Sequence, residues 1–176
     1  MKGVQGMYRR LAGNEMRIIA VSAVLAVGAV MAAAPRAIAQ SAPIPHAHIY
    51  PDVQAAHMDI QTALVKAHAE HKRVLLDFGG DWCGDCQVLN YYMHQSPNKE
   101  LLEKYYVLVD VNIGHIDQNI DIGDKYGVVL KKGVPAMAVL RPDGTVVYGQ
   151  KNGEFENMRH MQSSDLTTFL EAWKPH

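Results

Sequence analysis

The feature that most constrains this chain is a pair of cysteines, Cys83 and Cys86, placed directly after a buried-type strand. Residues 74–78 form a short, nearly all-apolar run that is typical of a strand covered on both faces. A helical pattern begins at the cysteines. Because the amide groups at a helix N-terminus carry partial positive charge, they stabilise a thiolate on the first cysteine. The second cysteine, one turn on, can close a disulfide, so the spacing predicts a redox-active pair.

Other uses of the cysteine pair match the sequence less well. A c-type haem attachment site requires a histidine where the chain has Gln87. A structural zinc site requires two further cysteine or histidine ligands at suitable spacing, and the chain has no second cysteine pair. A static disulfide is a further alternative, although closing so short a loop adds little stability.

Two alternatives of another class stay open. Nine histidines, among them His46, His48, His68 and His71, allow a copper-handling protein in which the two thiols bind Cu(I). The pattern favours histidines that face solvent, so no metal site is predicted. The other alternative is a redox-inactive binding module, against which the intact cysteine pair argues.

The N-terminal residues have the pattern of an export signal. A segment with four Lys/Arg residues precedes an apolar run at 18–34 and a small-x-small ending at 37–39. This pattern predicts a signal peptide over 1–39, cleaved after Ala39, and hence a periplasmic or otherwise extracytoplasmic protein that meets the membrane only during export. The alternative is an uncleaved anchor, for which the apolar run is at the short limit. Met16 is a second candidate start.

The charge of the remaining chain excludes one class of partner. Residues 40–176 contain 12 Lys/Arg and 17 Asp/Glu, a formal charge of −5. The basic residues form no cluster. Because nucleic-acid binding depends on concentrated positive charge, the sequence predicts no nucleic-acid partner.

The remaining chain divides into a short tail and one domain. Residues 40–51 hold three prolines and no period, which predicts an extended N-terminal tail. Residues 52–176 alternate between helical and strand patterns, in the order helix, strand, helix, strand, helix, hairpin, helix. Ser163 or Ser164 is the expected cap of the last helix. Parallel crossovers followed by an antiparallel hairpin predict an α/β fold with a mixed sheet between helices.

Two sequence landmarks carry a family resemblance. Residues 77–86, read as DFGGDWCGDC, resemble the thioredoxin signature, and residues 133–135, read as GVP, resemble the cis-proline loop of that family. The resemblance extends over residues 52–174 and is nearest to exported bacterial thioredoxin-like proteins. It implies a thioredoxin-like three-layer α/β/α sandwich with a central mixed sheet. It also implies a protein-disulfide reductase or related thiol–disulfide oxidoreductase with no bound cofactor.

The resemblance also implies roles for individual residues. Cys83 matches the attacking thiolate and Cys86 the resolving thiol. Trp82 matches the residue that covers the disulfide and shapes the docking surface. Val134 and Pro135, joined by a cis peptide, match the loop that holds an extended protein substrate beside the cysteines.

Asp77 matches the buried acid that the family places beneath the second cysteine. A carboxyl group with a raised pKa at this position can accept the proton of Cys86 during the resolving step. The alternative is an aspartate near a strand end that reaches water.

Acidic residues separate this chain from the usual thioredoxin pattern. Gly84 and Asp85 stand between the cysteines, where thioredoxins usually have Gly-Pro, and Asp110 lies near the usual position of a lysine. Asp81 and Asp85 bring negative charge to Cys83, which disfavours its thiolate. These residues are therefore expected to tune the potential toward a reductant or an isomerase-supporting protein. The expected partners are protein thiols and disulfides and a membrane-bound electron donor.

Overall fold

The computed structural model describes Ile44 and residues 46–176 of the chain. The predicted signal peptide, residues 1–39, lies outside the described residues. Residues 46–52 form no helix or strand, and the first regular element is a short 3-10 helix at Val53–Ala55.

The described residues form five α-helices and four β-strands. The helices are α1 (Ala56–Glu70), α2 (Gly84–Met93), α3 (Asn98–Tyr105), α4 (Ile120–Lys125) and α5 (Ser163–Trp173). The strands are β1 (Arg73–Gly79), β2 (Tyr106–Asn112), β3 (Ala136–Leu140) and β4 (Val146–Gly149). Two further 3-10 helices lie at Leu130–Lys132 and Met158–His160.

The four strands form one mixed sheet in the order β2-β1-β3-β4. Strand β1 pairs in parallel with β2 and antiparallel with β3, and β3 pairs antiparallel with β4. A parallel pair requires a crossover, which α2 and α3 supply, whereas β3 and β4 are joined directly by a turn. The predicted mixed sheet and hairpin are confirmed.

Alternate residues of β1 enter two different core clusters, because successive side chains of a strand point to opposite faces. Leu76 and Phe78 pack in the cluster that contains the buried residues of α1. Leu75 packs in the cluster that contains the buried residues of α5. Helices therefore cover both faces of the sheet, as the three-layer prediction requires.

The start of α5 differs from the expectation by one residue. The helix begins at Ser163, and its cap is Gln162, whose side chain and that of Asp165 form a reciprocal capping box. The backbone N–H of Gln162 donates to Asp165 Oδ2 at 2.8 Å. The prediction of Ser163 or Ser164 as the cap is wrong, because the Asp165 carboxylate accepts the N–H of Gln162 and so fixes the helix start one residue earlier.

Candidate active site at the start of helix α2

The two cysteines form a disulfide at the N-terminus of α2, directly after β1. Cys83 is the N-cap of the helix, and its Cα lies 5.2 Å from that of Cys86. The backbone N–H of Cys86 points at Cys83 Sγ, with 3.1 Å between nitrogen and sulfur. Cys83 is 5% exposed and Cys86 is fully buried. The sulfur of Cys83 therefore lies nearer the surface. It also faces an amide at the helix N-terminus, and this amide favours negative charge on the sulfur.

The loop before β3 lies against the outer sulfur. Cys83 Sγ is 3.6 Å from the carbonyl oxygen of Val134, and the Val134–Pro135 peptide is cis. The buried side chain of Gln150 supports this loop, since its Nε2 donates to the Pro135 carbonyl at 3.2 Å. The same side chain accepts from the N–H of Met137 at 3.2 Å through its Oε1. The fold thus brings together two landmarks that are 51 residues apart in the chain.

Trp82 lies on the open side of the disulfide and is 46% exposed. Its indole Nε1 donates to the carbonyl of Gly114 at 2.6 Å. Its ring stacks on that of His115, with 5.3 Å between the centroids. A Cβ at Gly80 would lie 2.5 Å from the indole nitrogen, so this glycine provides the space for the ring. The predicted docking residue is therefore fixed in place and still accessible.

Asp85, between the cysteines, is paired with a residue that the sequence reading did not single out. Its carboxylate accepts from the backbone N–H of Arg159 at 2.9 Å and from Nε at 3.1 Å. A third contact, from Nη2, is 2.9 Å long. Gly84 faces the same guanidinium, because a Cβ there would lie 3.8 Å from Nη1. Arg159 therefore offsets much of the negative charge that Asp85 brings to Cys83, and the tuning roles of Gly84 and Asp85 stay predictions.

Asp81 binds the chain that precedes the domain. Its Oδ1 accepts from the backbone N–H groups of Ile49 at 2.8 Å and Tyr50 at 3.1 Å, and its Oδ2 contacts His48 Nδ1. Partial burial opposes ionisation, but these two amides and His48 hold the pKa of Asp81 below its usual value. The carboxylate is charged and its charge is already partnered. A tuning effect of Asp81 on Cys83 stays a prediction.

Residues 46–51, named here the N-terminal arm, lie extended against the start of α2. The Gln87 side chain accepts from the Ala47 N–H at 2.8 Å and donates to the Ala47 carbonyl at 2.9 Å. The Pro51 carbonyl accepts from Asn112 Nδ2 at 2.8 Å. The arm is the second half of the segment that the sequence predicts as a tail, residues 40–51. Here it is part of the surroundings of the disulfide.

Asp77 lies on β1 and is 1% exposed, and its hydrogen-bond partner Tyr50 lies close to Cys86 Sγ at Gly79. Its Oδ2 accepts a hydrogen bond from the Tyr50 hydroxyl at 2.9 Å, while its Oδ1 finds no hydrogen-bond partner among the described residues. The residue opposite it on β2 is Asp110. Burial and the charge of Asp110 raise the pKa of Asp77 well above its usual value, although the Tyr50 hydrogen bond opposes them.

Asp110 shares the environment of Asp77. Burial raises the pKa of Asp110 to about 6, against a lowering effect of His94 and with a further raising effect of Asp81. Two adjacent carboxyl groups with raised pKa values can hold and exchange a proton near neutral pH. The proton-accepting role predicted for Asp77 is therefore chemically available at this position.

The comparison with known families supports the same assignment. The family model described as Thioredoxin-like matches residues 55–142, which span both cysteines and the loop at Pro135. The chain belongs to the thioredoxin-like family. The predicted family and fold are thereby confirmed.

Two relatives of this thioredoxin-like chain show how far the similarity extends. The disulphide isomerase from Xylella fastidiosa Temecula1 is 30% identical, with a TM-score of 0.68, and the match covers 73% of this chain and 98% of that one. The thiol:disulfide interchange protein DsbD of Pseudomonas fluorescens is 29% identical over 118 residues. That match covers 65% of this chain but 18% of DsbD, so the chain spans less than a fifth of this relative's length.

Several residues of this thioredoxin-like site were not found by sequence reasoning. They are Tyr50, Arg159 and Gln150, and all three lie outside the residues matched by the family model. Each reaches the site through a contact between distant parts of the chain. A tyrosine beside Pro51 in an apparently unstructured segment was the only signal for Tyr50.

Among Ile44 and residues 46–176, no cluster of three or more His, Cys, Asp or Glu side chains could hold a metal ion. Within the same part of the chain, no helix combines the length and apolar character needed to cross a membrane.

Proposed function

We propose that this protein is a thiol–disulfide oxidoreductase that acts on protein disulfides outside the cytoplasm. The observation that carries the proposal is the Cys83–Cys86 disulfide at a helix N-terminus, with the Val134 carbonyl 3.6 Å from the outer sulfur. A carbonyl next to that sulfur offers a hydrogen-bond acceptor to an extended peptide. The Xylella relative, a disulphide isomerase, supports the same class of chemistry.

The reaction follows from the different exposure of the two sulfurs. In the reduced protein, the Cys83 thiolate attacks a disulfide sulfur of the substrate protein, and one substrate thiolate leaves. Cys86 then loses its proton to the Asp77 carboxylate, and its sulfur attacks Cys83. The bond between Cys83 and the substrate breaks, and the second substrate thiolate leaves. Two electrons have passed from the dithiol to the substrate.

The acidic surroundings favour a reductant or an isomerase-supporting protein over a strong oxidant. Four carboxyl groups lie around the dithiol, at Asp77, Asp81, Asp85 and Asp110. Arg159 partners the charge of Asp85, and His48 with two backbone amides partners that of Asp81, so the buried pair Asp77 and Asp110 carries most of this argument. Like charge disfavours a thiolate in the reduced form, which makes the dithiol a better electron donor.

The dithiol is proposed to carry the electrons without an organic cofactor. A reductant in an oxidising compartment must be reduced again, and a membrane-bound donor is the proposed source. The aligned region of DsbD, a thiol:disulfide interchange protein, supports a place in such a relay. The export pattern of residues 1–39 supports the location. The mass of the exported protein tests the proposed export, because cleavage after Ala39 predicts a mature chain that begins at Gln40.

The test is the equilibrium reduction potential, measured against glutathione by trapping free thiols. A value below about −220 mV is expected, as for an electron donor. A value above about −150 mV would contradict the proposed direction and indicate an oxidant. A protein that does not cycle between dithiol and disulfide would contradict the enzyme itself.

Two cysteine variants make the test specific. Cys86→Ser is expected to form a stable mixed disulfide with a substrate protein, because the resolving thiol is absent. Cys83→Ser leaves only the fully buried sulfur and is expected to form none. Equal trapping by both variants would contradict the assignment of Cys83 as the attacking residue.

A further inference from the structure

Tyr50 lies on the buried side of the disulfide, next to the two groups that act in the resolving step. It is 1% exposed, and its hydroxyl donates to Asp77 Oδ2 at 2.9 Å. A Cβ placed on Gly79 would lie 2.3 Å from the Tyr50 hydroxyl oxygen and 2.7 Å from Cys86 Sγ. The hydroxyl and the sulfur are therefore separated by no more than the sum of these distances. One phenol group thus lies close to both Asp77 and Cys86.

The position of Tyr50 is fixed from both sides of the cysteine pair. Asp81, just before the pair, accepts hydrogen bonds from the backbone N–H groups of Ile49 and Tyr50. The side chain of Gln87, just after the pair, accepts a hydrogen bond from the N–H of Ala47 and donates one to its carbonyl. These contacts bind the arm as an extended segment that directs the phenol inward. The arm is therefore attached to the same short stretch that carries the reacting sulfurs.

The hydrogen bond from Tyr50 lowers the proton affinity of Asp77. Burial and Asp110 raise the pKa of Asp77, whereas the Tyr50 hydrogen bond lowers it by stabilising the carboxylate. Burial and the charge of Asp77 raise the pKa of Tyr50 well above its usual value, so the phenol remains a donor throughout the working range. The titratable groups that act on this pair are Asp110 on β2, Asp81 in the loop after β1 and, through Asp110, His94 at the end of α2. Cys86 on α2 lies near the Tyr50 hydroxyl, and the β3 residue opposite Asp77 is Met137.

We propose that Tyr50 is a positioning residue for the resolving step and acts through Asp77. This inference rests on the proposed oxidoreductase function. In that step the Cys86 proton moves to the Asp77 carboxylate, a bond forms between the two cysteine sulfurs, and the substrate thiolate leaves with the electron pair of the broken bond. Tyr50 orients the Asp77 carboxylate and stabilises the ionised form that accepts the proton. The N-terminal arm is thus a working part of the site.

The test separates the two chemical steps by mixing reduced protein with dithiobis(nitrobenzoate). Attack by Cys83 releases one thionitrobenzoate, and resolution by Cys86 releases the second. Both releases are followed from about pH 5 to pH 9, a range that brackets the titration of a raised carboxyl and a thiol. In Tyr50→Phe the pH midpoint of the second release is expected to rise by about one pH unit, with about a tenfold slower rate below the midpoint. The first release should keep its rate.

A matched control lies in the core cluster that contains the buried residues of α5. Tyr106 is also buried and donates its hydroxyl to a backbone carbonyl, that of Leu170, at 2.6 Å. Tyr106→Phe removes a comparable hydrogen bond far from the acid pair and should leave the pH midpoint of the second release unchanged. An unchanged midpoint in Tyr50→Phe, or an equal rise in both variants, would overturn the proposal.

A double variant tests whether Tyr50 acts through Asp77. In an Asp77→Asn background, Tyr50→Phe should not slow the second release further, whereas an additive loss would overturn the proposed route. If Tyr50→Phe does not fold, 3-fluorotyrosine at position 50 keeps the shape and strengthens the donor. The midpoint should then fall, and a midpoint that stays or rises overturns the proposal. A wild-type protein without a second release would instead contradict the proposed function.

Discussion

The two sulfurs of the disulfide lie in different surroundings. Cys83 faces the surface side of the site, where Trp82 is exposed and the Val134 carbonyl lies 3.6 Å away. Cys86 faces the interior, where Asp77 and Tyr50 are both 1% exposed. The surroundings of Cys83, named here the outer half of the site, offer contacts for the proposed protein substrate. The surroundings of Cys86, named here the inner half, offer groups that can handle a proton. Under the proposed mechanism, attack and resolution therefore depend on separate sets of residues, which can be changed independently.

The largest effect is expected from filling space in the inner half. Gly79→Ala would place a Cβ 2.3 Å from the Tyr50 hydroxyl and 2.7 Å from Cys86 Sγ, contacts that require the side chains to move. We expect a loss of about 1–3 kcal/mol in the free energy of unfolding, measured by urea denaturation of the oxidised protein.

Gly84→Ala is the control in the outer half. The nearest atom to a Cβ there is 3.8 Å away, an ordinary contact, and the position lies in the first turn of α2. Replacing a helical glycine by alanine should keep or raise stability, by up to about 1 kcal/mol. Equal losses in the two variants would show that the inner half is no more tightly packed than the outer half.

A smaller effect is expected from Asp110, through the pH dependence of stability. Burial raises its pKa to about 6, so between the usual aspartate range and pH 6 the folded protein binds a proton that the unfolded chain has released. The resulting stabilisation is present at low pH and is lost as the pH rises through 6. Asp110→Asn removes this pH-dependent loss. The stability of the variant relative to wild type should therefore be higher at pH 7 than at pH 4, by up to about 2 kcal/mol.

Urea denaturation at the two pH values measures this effect. Asp124→Asn, at an exposed position of α4, is the matched control and should show the same pH dependence as wild type. A parallel pH dependence in Asp110→Asn and wild type would mean that the acid pair of the inner half does not exchange protons in this range.

The smallest effect is expected in the outer half, from Arg159. The guanidinium offsets the charge of Asp85, so Arg159→Ala leaves an uncompensated carboxylate near Cys83. The thiolate of the reduced form becomes less stable, and the reduction potential should become more negative by less than about 30 mV. The double variant Arg159→Ala/Asp85→Asn should return toward the wild-type potential. A shift to a more positive potential in Arg159→Ala would contradict this account of the pair.

Sequence reasoning predicted the outer half better than the inner half. The strand before Cys83, the helix after it and the hairpin after Pro135 all follow from local periodicity and turn residues, which one sequence displays directly. The resemblance added the link between the cysteines and the distant proline loop. The resemblance also singled out Asp77, and its position inside an otherwise apolar strand favoured a functional role.

The remaining parts of the site depend on contacts between distant residues that leave no local pattern. Tyr50 and Asp77 are 27 positions apart, and Asp85 and Arg159 are 74 apart. The arm has no helical or strand period, because its backbone bonds to the side chains of Asp81 and Gln87 instead of to a neighbouring strand. The sequence argument from the charges next to Cys83 therefore counted Asp81 and Asp85 as unpartnered, whereas the fold supplies a partner for each.

The stacking of Trp82 on His115 has an optical consequence. The chain has two tryptophans, and the other, Trp173, lies beside Tyr148 with 5.2 Å between ring centroids. Trp82 is the residue directly before Cys83, so its emission responds to the state of the neighbouring disulfide. In a Trp173→Phe background, Trp82 is the one remaining indole, and its intensity would follow the thiols without a second source of emission. The stacked ring of His115 and the hydrogen bond to Gly114 keep this indole in one position beside the disulfide.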